Sequence, residues 1–83
     1  ISVADLAALT GLSLFHFTRK FKTTVGVAPY RYVLEARVER ARALIQSSAL
    51  PLATIAEVTG FSSPSHFSRT FAEIVGVSPG AFR

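Results

Sequence analysis

The stretch Ala4-Asp5-Leu6-Ala7-Ala8-Leu9-Thr10-Gly11 returns at residues 53–60 as Ala53-Thr54-Ile55-Ala56-Glu57-Val58-Thr59-Gly60, and that return decides the fold. Behind it, His16-Phe17-Thr18-Arg19-Lys20-Phe21 returns as His66-Phe67-Ser68-Arg69-Thr70-Phe71. The spacing has grown by one, so the second copy carries an extra residue, which falls within Ser62-Ser63-Pro64-Ser65. Val25-Gly26-Val27-Ala28-Pro29 then matches Val75-Gly76-Val77-Ser78-Pro79. Two copies are too few to stack as a solenoid. They read as two similar small subdomains joined by residues 30–50.

Each copy parses as helix, turn, helix. Ser2 is an N-cap residue, and Asp5 completes a capping box with it. Val3, Leu6, Ala7 and Thr10 follow at helical spacing. Gly11 supplies the turn, Ser13 caps a second helix from Leu14, and Gly26 stops it. The second copy predicts a helix over 52–59, a turn at Gly60, a cap at Ser62 and a helix ending before Gly76. Pro64 fits there because the first helical turn tolerates proline. Between the copies, Tyr30, Leu34, Val38, Ala41 and Ile45 form one apolar stripe on a helix started by Pro29. At 1.5 Å per residue, about 17 residues span roughly 25 Å. That is of the order of one DNA turn, about 34 Å, so a stiff helix here would hold the copies at a fixed spacing.

The 83 residues carry 9 Lys and Arg against 5 Asp and Glu, a formal charge of +4, and are 49% hydrophobic. Such a chain is too apolar and too weakly charged for a disordered tail. With no cysteine there is no disulfide frame and no thiolate chemistry. Two histidines and scattered acids predict no metal site, no phosphate loop or nucleophile elbow is present, and no cofactor is expected. No apolar run reaches the roughly 18 residues of a membrane span. The charge gathers in residues 1–31, which hold Arg19, Lys20, Lys22 and Arg31 against Asp5 alone; residues 49–83 are neutral. This bias fits a polyanion partner.

On the second helix of each copy the faces separate. Phe17, Phe21 and Val25, and likewise Phe67, Phe71 and Ile74, form the packed back. The front carries Leu14, Phe15, Thr18, Arg19 and Lys22 in the first copy, and Pro64, Ser65, Ser68, Arg69 and Ala72 in the second. A helix with an aromatic back and an open arginine can enter a DNA major groove, where the guanidinium fork matches guanine O6 and N7. An exposed Phe15 or Leu14 can meet a thymine methyl group or pack on another surface. Arg19 and Arg69 hold the same register, which favours a shared role over simple solvation. Ser13 and Ser62 are caps whose helix ends can also bind phosphate. Lys20, Lys22, Arg31 and Arg40 are phosphate-contact candidates. His16 and His66 sit in separate copies with no acid at a useful spacing, and read as structural or backbone-contacting groups.

Residues 55–71, Ile-Ala-Glu-Val-Thr-Gly-Phe-Ser-Ser-Pro-Ser-His-Phe-Ser-Arg-Thr-Phe, with Gly-Val-Ser-Pro-Gly-Ala-Phe-Arg at 76–83, make the sequence resemble the DNA-binding domain of the AraC/XylS transcription regulators. Residues 3–7, 13–22 and 37–45 extend the match over nearly the whole chain. The resemblance implies an all-α fold of seven helices, with two helix-turn-helix units of homeodomain-like, three-helical type joined by a long central helix. It divides the chain into a first unit (1–29), a connecting helix (30–48) and a second unit (49–83). It also implies base contacts from Phe15, Thr18 and Arg19 in the first unit and from Pro64, Ser65, His66 and Arg69 in the second. Such proteins act as bacterial transcription activators. Double-stranded DNA is thus the expected partner, RNA polymerase is reached through a parent protein, and the location is the cytoplasmic nucleoid.

Three departures stand out. A first helix would precede Ile1 and the last would be cut at Arg83, so the chain reads as a piece of something longer, with Leu6, Leu9 and Leu12 losing cover. The front of the second recognition helix is small and weakly charged, which points to holding the backbone more than reading bases. No sensing domain is present. Two rival classes are a helical protein-interaction module, resting on Leu14 and Phe15, and an accessory DNA-binding domain of a DNA-repair enzyme, whose cysteine chemistry would lie elsewhere. The expected mechanism is equilibrium binding and not catalysis.

Overall fold

Serine hydroxyls set most of the helix starts. A computed structural model describes residues 2–83, which form α1 (Val3–Thr10), α2 (Leu14–Val25), α3 (Pro29–Ser47), α4 (Leu52–Val58), α5 (Pro64–Val75) and α6 (Pro79–Phe82). Ser2, Ser13, Ser63 and Ser78 lie in extended backbone ahead of α1, α2, α5 and α6, and each hydroxyl accepts the N–H three residues on. This satisfies donors that a helix N-terminus leaves without partners.

At α1 the cap is reciprocal. The Ser2 N–H donates to Asp5 Oδ2 at 3.1 Å, and the Asp5 N–H donates to Ser2 Oγ at 3.2 Å. The Ser2 backbone bond, and after it a side-chain bond to Ser2, hold the Asp5 carboxyl below the usual carboxylate range. A lowered native value means that the ionised carboxylate stabilises the fold above the ordinary range. That support is lost as pH falls through the lowered value.

The chain forms two compact units, one through Leu34 and one from Glu35 to Arg83. In the first, α1 packs on α2, and Ala7, Phe17, Pro29, Val33 and Leu34 are buried. Phe17 meets Phe21 at 5.5 Å between ring centres, and Phe21 meets Tyr32 edge-on at 5.4 Å. Two stripe residues depart from expectation. Val25 is 48% exposed: each four-residue step turns about 40° round a helix, so by Val25 the line has left the face of Phe17. Tyr30 is 57% exposed, because burial in this unit follows Pro29 and Val33 instead. Leu9 is 80% exposed and Leu12 is exposed too, while Leu6 is half-buried.

The second unit buries Val38, Ala41 and Ile45 of α3, Ile55 and Ala56 of α4, and Phe61, Phe67 and Phe71. Its rings form a ladder, Phe61–Phe67–Phe71–Phe82, with centres 5.2, 5.7 and 5.6 Å apart. The buried Thr59 hydroxyl donates to the Ile55 carbonyl at 2.6 Å, so its burial leaves no orphan donor. Gly60 turns the chain at φ +93°, and a Cβ there would lie 3.1 Å from Arg37 Nε. The positive φ favours glycine, and a Cβ would also crowd the Arg37 side chain. The Arg83 guanidinium donates to the Ser48 carbonyl at 3.1 Å, and Arg42 lies 5.4 Å from the centre of the Phe82 ring.

The cap of α5 corrects the sequence reading. Ser63, not Ser62, holds it, with Oγ 3.1 Å from the His66 nitrogen. The cause is Pro64. A proline disfavours helical backbone in the residue before it, and Ser63 is accordingly extended at φ −155° and ψ 157°. The helix therefore cannot begin before Pro64.

Replacing Ser63 by Ala is expected to cost about 1 kcal/mol of stability, whereas Ser62→Ala stays within about 0.5 kcal/mol; chemical denaturation of the two variants separates them. In a second check, Ser2→Ala removes the hydroxyl half of the α1 box. The Asp5 carboxyl should then titrate closer to the ordinary range, followed by NMR of its carboxyl carbon.

Candidate nucleic-acid interface

Burial of Phe17 sets the rotation of α2 about its own axis. Phe15, Arg19 and Lys22 stand at i, i+4 and i+7, on the side away from that ring. All three are exposed, Phe15 by 65%, and Leu14 is exposed beside them. Thr18 flanks this face half-buried, with its hydroxyl donating to the Leu14 carbonyl at 2.8 Å. Its donor is therefore used within the helix, and its lone pairs and methyl remain for a partner. Lys20 falls on another flank, one turn beyond His16.

The start of α2 is held by a set of local contacts. Ser13 Oγ accepts the His16 N–H at 3.2 Å and lies 2.7 Å from His16 Nδ1. The His16 ring meets the Phe15 ring edge-on, with centres 5.7 Å apart. The Arg19 guanidinium carbon lies 5.7 Å from the centre of the same Phe15 ring. No acid pairs with Arg19 among the described residues; on α3 an exposed ion pair joins Glu39 and Arg42 at 3.9 Å.

In the second unit, α5 repeats the register with other chemistry. Phe67 and Phe71 are fully buried, which turns Ser65, Ser68 and Arg69 outward, with Pro64 exposed at the first helical position. Where α2 has Phe15 and Lys22, α5 has Ser65 and Ala72. His66 is half-buried, its ring edge-on to Phe61 at 5.4 Å and its Nδ1 3.4 Å from Ser62 Oγ. Only Nε2 of this ring is left to meet a partner. Exposed Glu73 stands one turn beyond Arg69 and offsets its charge.

The residues expected at phosphates are spread more widely. Ser13, Lys20, Lys22, Arg31, Arg40 and Ser62 are all exposed. Ser13 and Lys22 belong to the α2 end and face described above. Arg31 and Arg40 stand on α3. Ser62 lies one residue outside the α5 cap, so Ser63 is the position equivalent to Ser13, and sequence reasoning missed it. The proline at 64 was the signal that could have found it.

Among the described residues no cluster of three or more His, Asp or Glu side chains could hold a metal, and no helix is long and apolar enough to cross a membrane. The arrangement offers two capped helices, each with an aromatic back and one open arginine at the same register. Such a helix can place a guanidinium fork against base edges while its N-terminal N–H groups approach phosphate.

Comparison with known proteins agrees with this geometry. A family model described as a helix-turn-helix domain matches residues 6–83. The probable transcriptional regulator LumQ of Photobacterium leiognathi is 39% identical over 83 residues, all of this chain and 34% of LumQ. The transcriptional activator NphR of a Rhodococcus species is 36% identical over the same length, which is 24% of NphR. The chain thus spans about a quarter to a third of these relatives. Among solved structures, an AraC-type transcriptional regulator from Chromobacterium violaceum superposes with a TM-score of 0.89 at 36% identity, over 100% of this chain and 74% of that one. The DNA-binding domain of AdpA, solved in complex with a target DNA, gives a TM-score of 0.91 at 32% identity, over 99% of this chain and 74% of that one.

Proposed function

Since the chain belongs to the AraC-type helix-turn-helix family of DNA-binding domains, we propose that it reads duplex DNA at promoters for a bacterial transcription regulator, as an activator. The observation that carries this is the arginine at one register, Arg19 and Arg69, on the open front of two helices whose backs are buried phenylalanine. In this reading residues 1–29 and 49–83 each present a recognition helix and residues 30–48 link them. Phe15, Thr18 and Arg19 face the groove in the first unit, and Pro64, Ser65, His66 and Arg69 in the second. Ser13, Lys20, Lys22, Arg31, Arg40 and Ser62 meet phosphates. Phosphate contacts supply most of the affinity, and the groove-facing side chains supply specificity.

The first unit reads and the second mainly holds the backbone. The support is chemical: α2 offers Arg19 and Lys22 without an acid on its front, whereas α5 offers Arg69, small hydroxyls and nearby Glu73. The task is binding and not catalysis. RNA polymerase is met through the rest of a parent regulator, in the cytoplasm at the nucleoid. The contact of the exposed Phe15 ring with the Arg19 cation supports DNA reading over a protein-interaction module.

Selection from a random duplex pool at about 0.15 M salt tests the proposal. An enriched site whose dominant box loses one base position in Arg19→Ala supports it, and no enrichment overturns it. Arg19→Ala is expected to cost about 1–3 kcal/mol on that site and to relax one base position. Lys22→Ala should weaken binding to all sequences alike and flatten the slope of log K against log salt by about 0.9. An unchanged slope removes Lys22 from the phosphate contacts.

A further inference from the structure

We propose that Phe15 is a positioning residue for Arg19: its ring holds the guanidinium over the front of α2 before DNA arrives, and its contribution to specificity runs through that arginine. The inference rests on the DNA-reading role of α2 given above and assigns Phe15 a part in it.

Three observations carry it. Phe15 is 65% exposed, so the fold gains little from it as a packed side chain. Its ring centre lies 5.7 Å from the Arg19 guanidinium carbon, one helical turn away, which is the i, i+4 geometry in which helix side chains meet. Within about 6 Å an aromatic face attracts a cation. The ring itself is backed: the His16 ring meets it edge-on at 5.7 Å, and His16 Nδ1 lies 2.7 Å from the capping Ser13 hydroxyl. A run of contacts thus leads from the cap, through His16 and Phe15, to the arginine.

An arginine side chain has several rotors, and fixing them costs free energy when it binds. A guanidinium already resting on a ring has lost part of that freedom before binding, so less is lost against the base. The second unit lacks the device. Its Arg69 stands at the same register with Ser65 in the place of Phe15, and serine has no face to offer a cation. The proposal therefore also accounts for one repeat being a sharper reader than the other.

The competing use of Phe15 is direct contact with a thymine methyl group. The two differ in what they predict, because one acts through Arg19 and the other does not. The test measures affinities of the whole chain for the selected site and for its single base-pair variants, in wild type, Phe15→Leu, Arg19→Ala and the double variant. Leucine stays apolar and helix-compatible but has no π face. Phe15→Leu is expected to reduce discrimination at the base pair read by Arg19 by about 2- to 5-fold. In the Arg19→Ala background the same change should cost nothing further. Phe15→Trp should restore discrimination, since indole offers the better cation-binding face.

Deoxyuridine in place of thymidine should leave the wild-type-to-Leu ratio unchanged. In the free protein, the Arg19 Hδ protons should shift downfield on Phe15→Leu as the ring-current shielding is lost. A Phe15→Leu loss that persists in full without Arg19, or that vanishes on deoxyuridine duplexes, overturns the inference and assigns Phe15 to the thymine methyl. A preferred site that Phe15→Leu leaves untouched overturns the inference alone. A wild-type chain with no preferred site overturns the DNA-reading role as well.

Discussion

The rest of this structure depends on the burial of paired phenylalanines behind the two recognition helices. Phe67 and Phe71 are fully buried, and Phe17 is buried with Phe21 half-covered beside it. Burying each such ring is worth about 1.5–3 kcal/mol. Turning either helix by one residue, about 100°, would expose that surface and drive a neighbouring polar or charged side chain into the core. The helix therefore has one rotation, and its open face follows from it. Neither Arg19 nor Arg69 has to be held outward by contacts of its own; the back of the helix determines where the front points.

This is why so much was legible in the sequence. A ring at i and i+4 names the buried side of a helix, and Gly and Ser at the ends name its length, so the repeat gave both recognition helices their register. The departures from that pattern have local causes. Val25 lies beyond the rings that anchor its stripe, where helical drift moves it off the face, and Tyr30 is exposed because burial at the start of α3 follows Pro29 and Val33. The repeat pairs Ser62 with Ser13, but the local effect of Pro64 on the residue before it outweighs that pairing and makes Ser63 the cap. The contact between Phe15 and Arg19 leaves no mark in the sequence pattern. Residue spacing permits it, but it depends on rotamers, and two exposed side chains one turn apart meet or part without a change in hydrophobic pattern.

The repeat also separates what a fold needs from what recognition needs. Both copies keep a serine cap, a helix ended by a left-handed glycine, a buried ring and an arginine at one register. These elements build and orient a recognition helix. The positions that differ, Phe15 against Ser65 and Lys22 against Ala72, lie on the open face and have little to do with stability. The scaffold is shared while the chemistry at its front differs, so the two units differ at the open face of one helix without differing in how that helix is built.

Charge needs the same separation. At distances approaching a Debye length, about 10 Å at 0.1 M salt, the whole cationic excess acts on a polyanion. At contact distance only side chains free to reach a phosphate or a base count. Arg83 is tied to the Ser48 carbonyl, Arg42 lies between Phe82 and Glu39, and Arg37 packs against the Gly60 turn. These three arginines fasten the second unit. Lys20, Lys22 and Arg19 stand exposed on α2 with no acid paired to them among the described residues. The cations that hold the fold together and those that can grip DNA are thus largely different residues. The concentration of the free ones on α2 reinforces the asymmetry that the front-face residues establish.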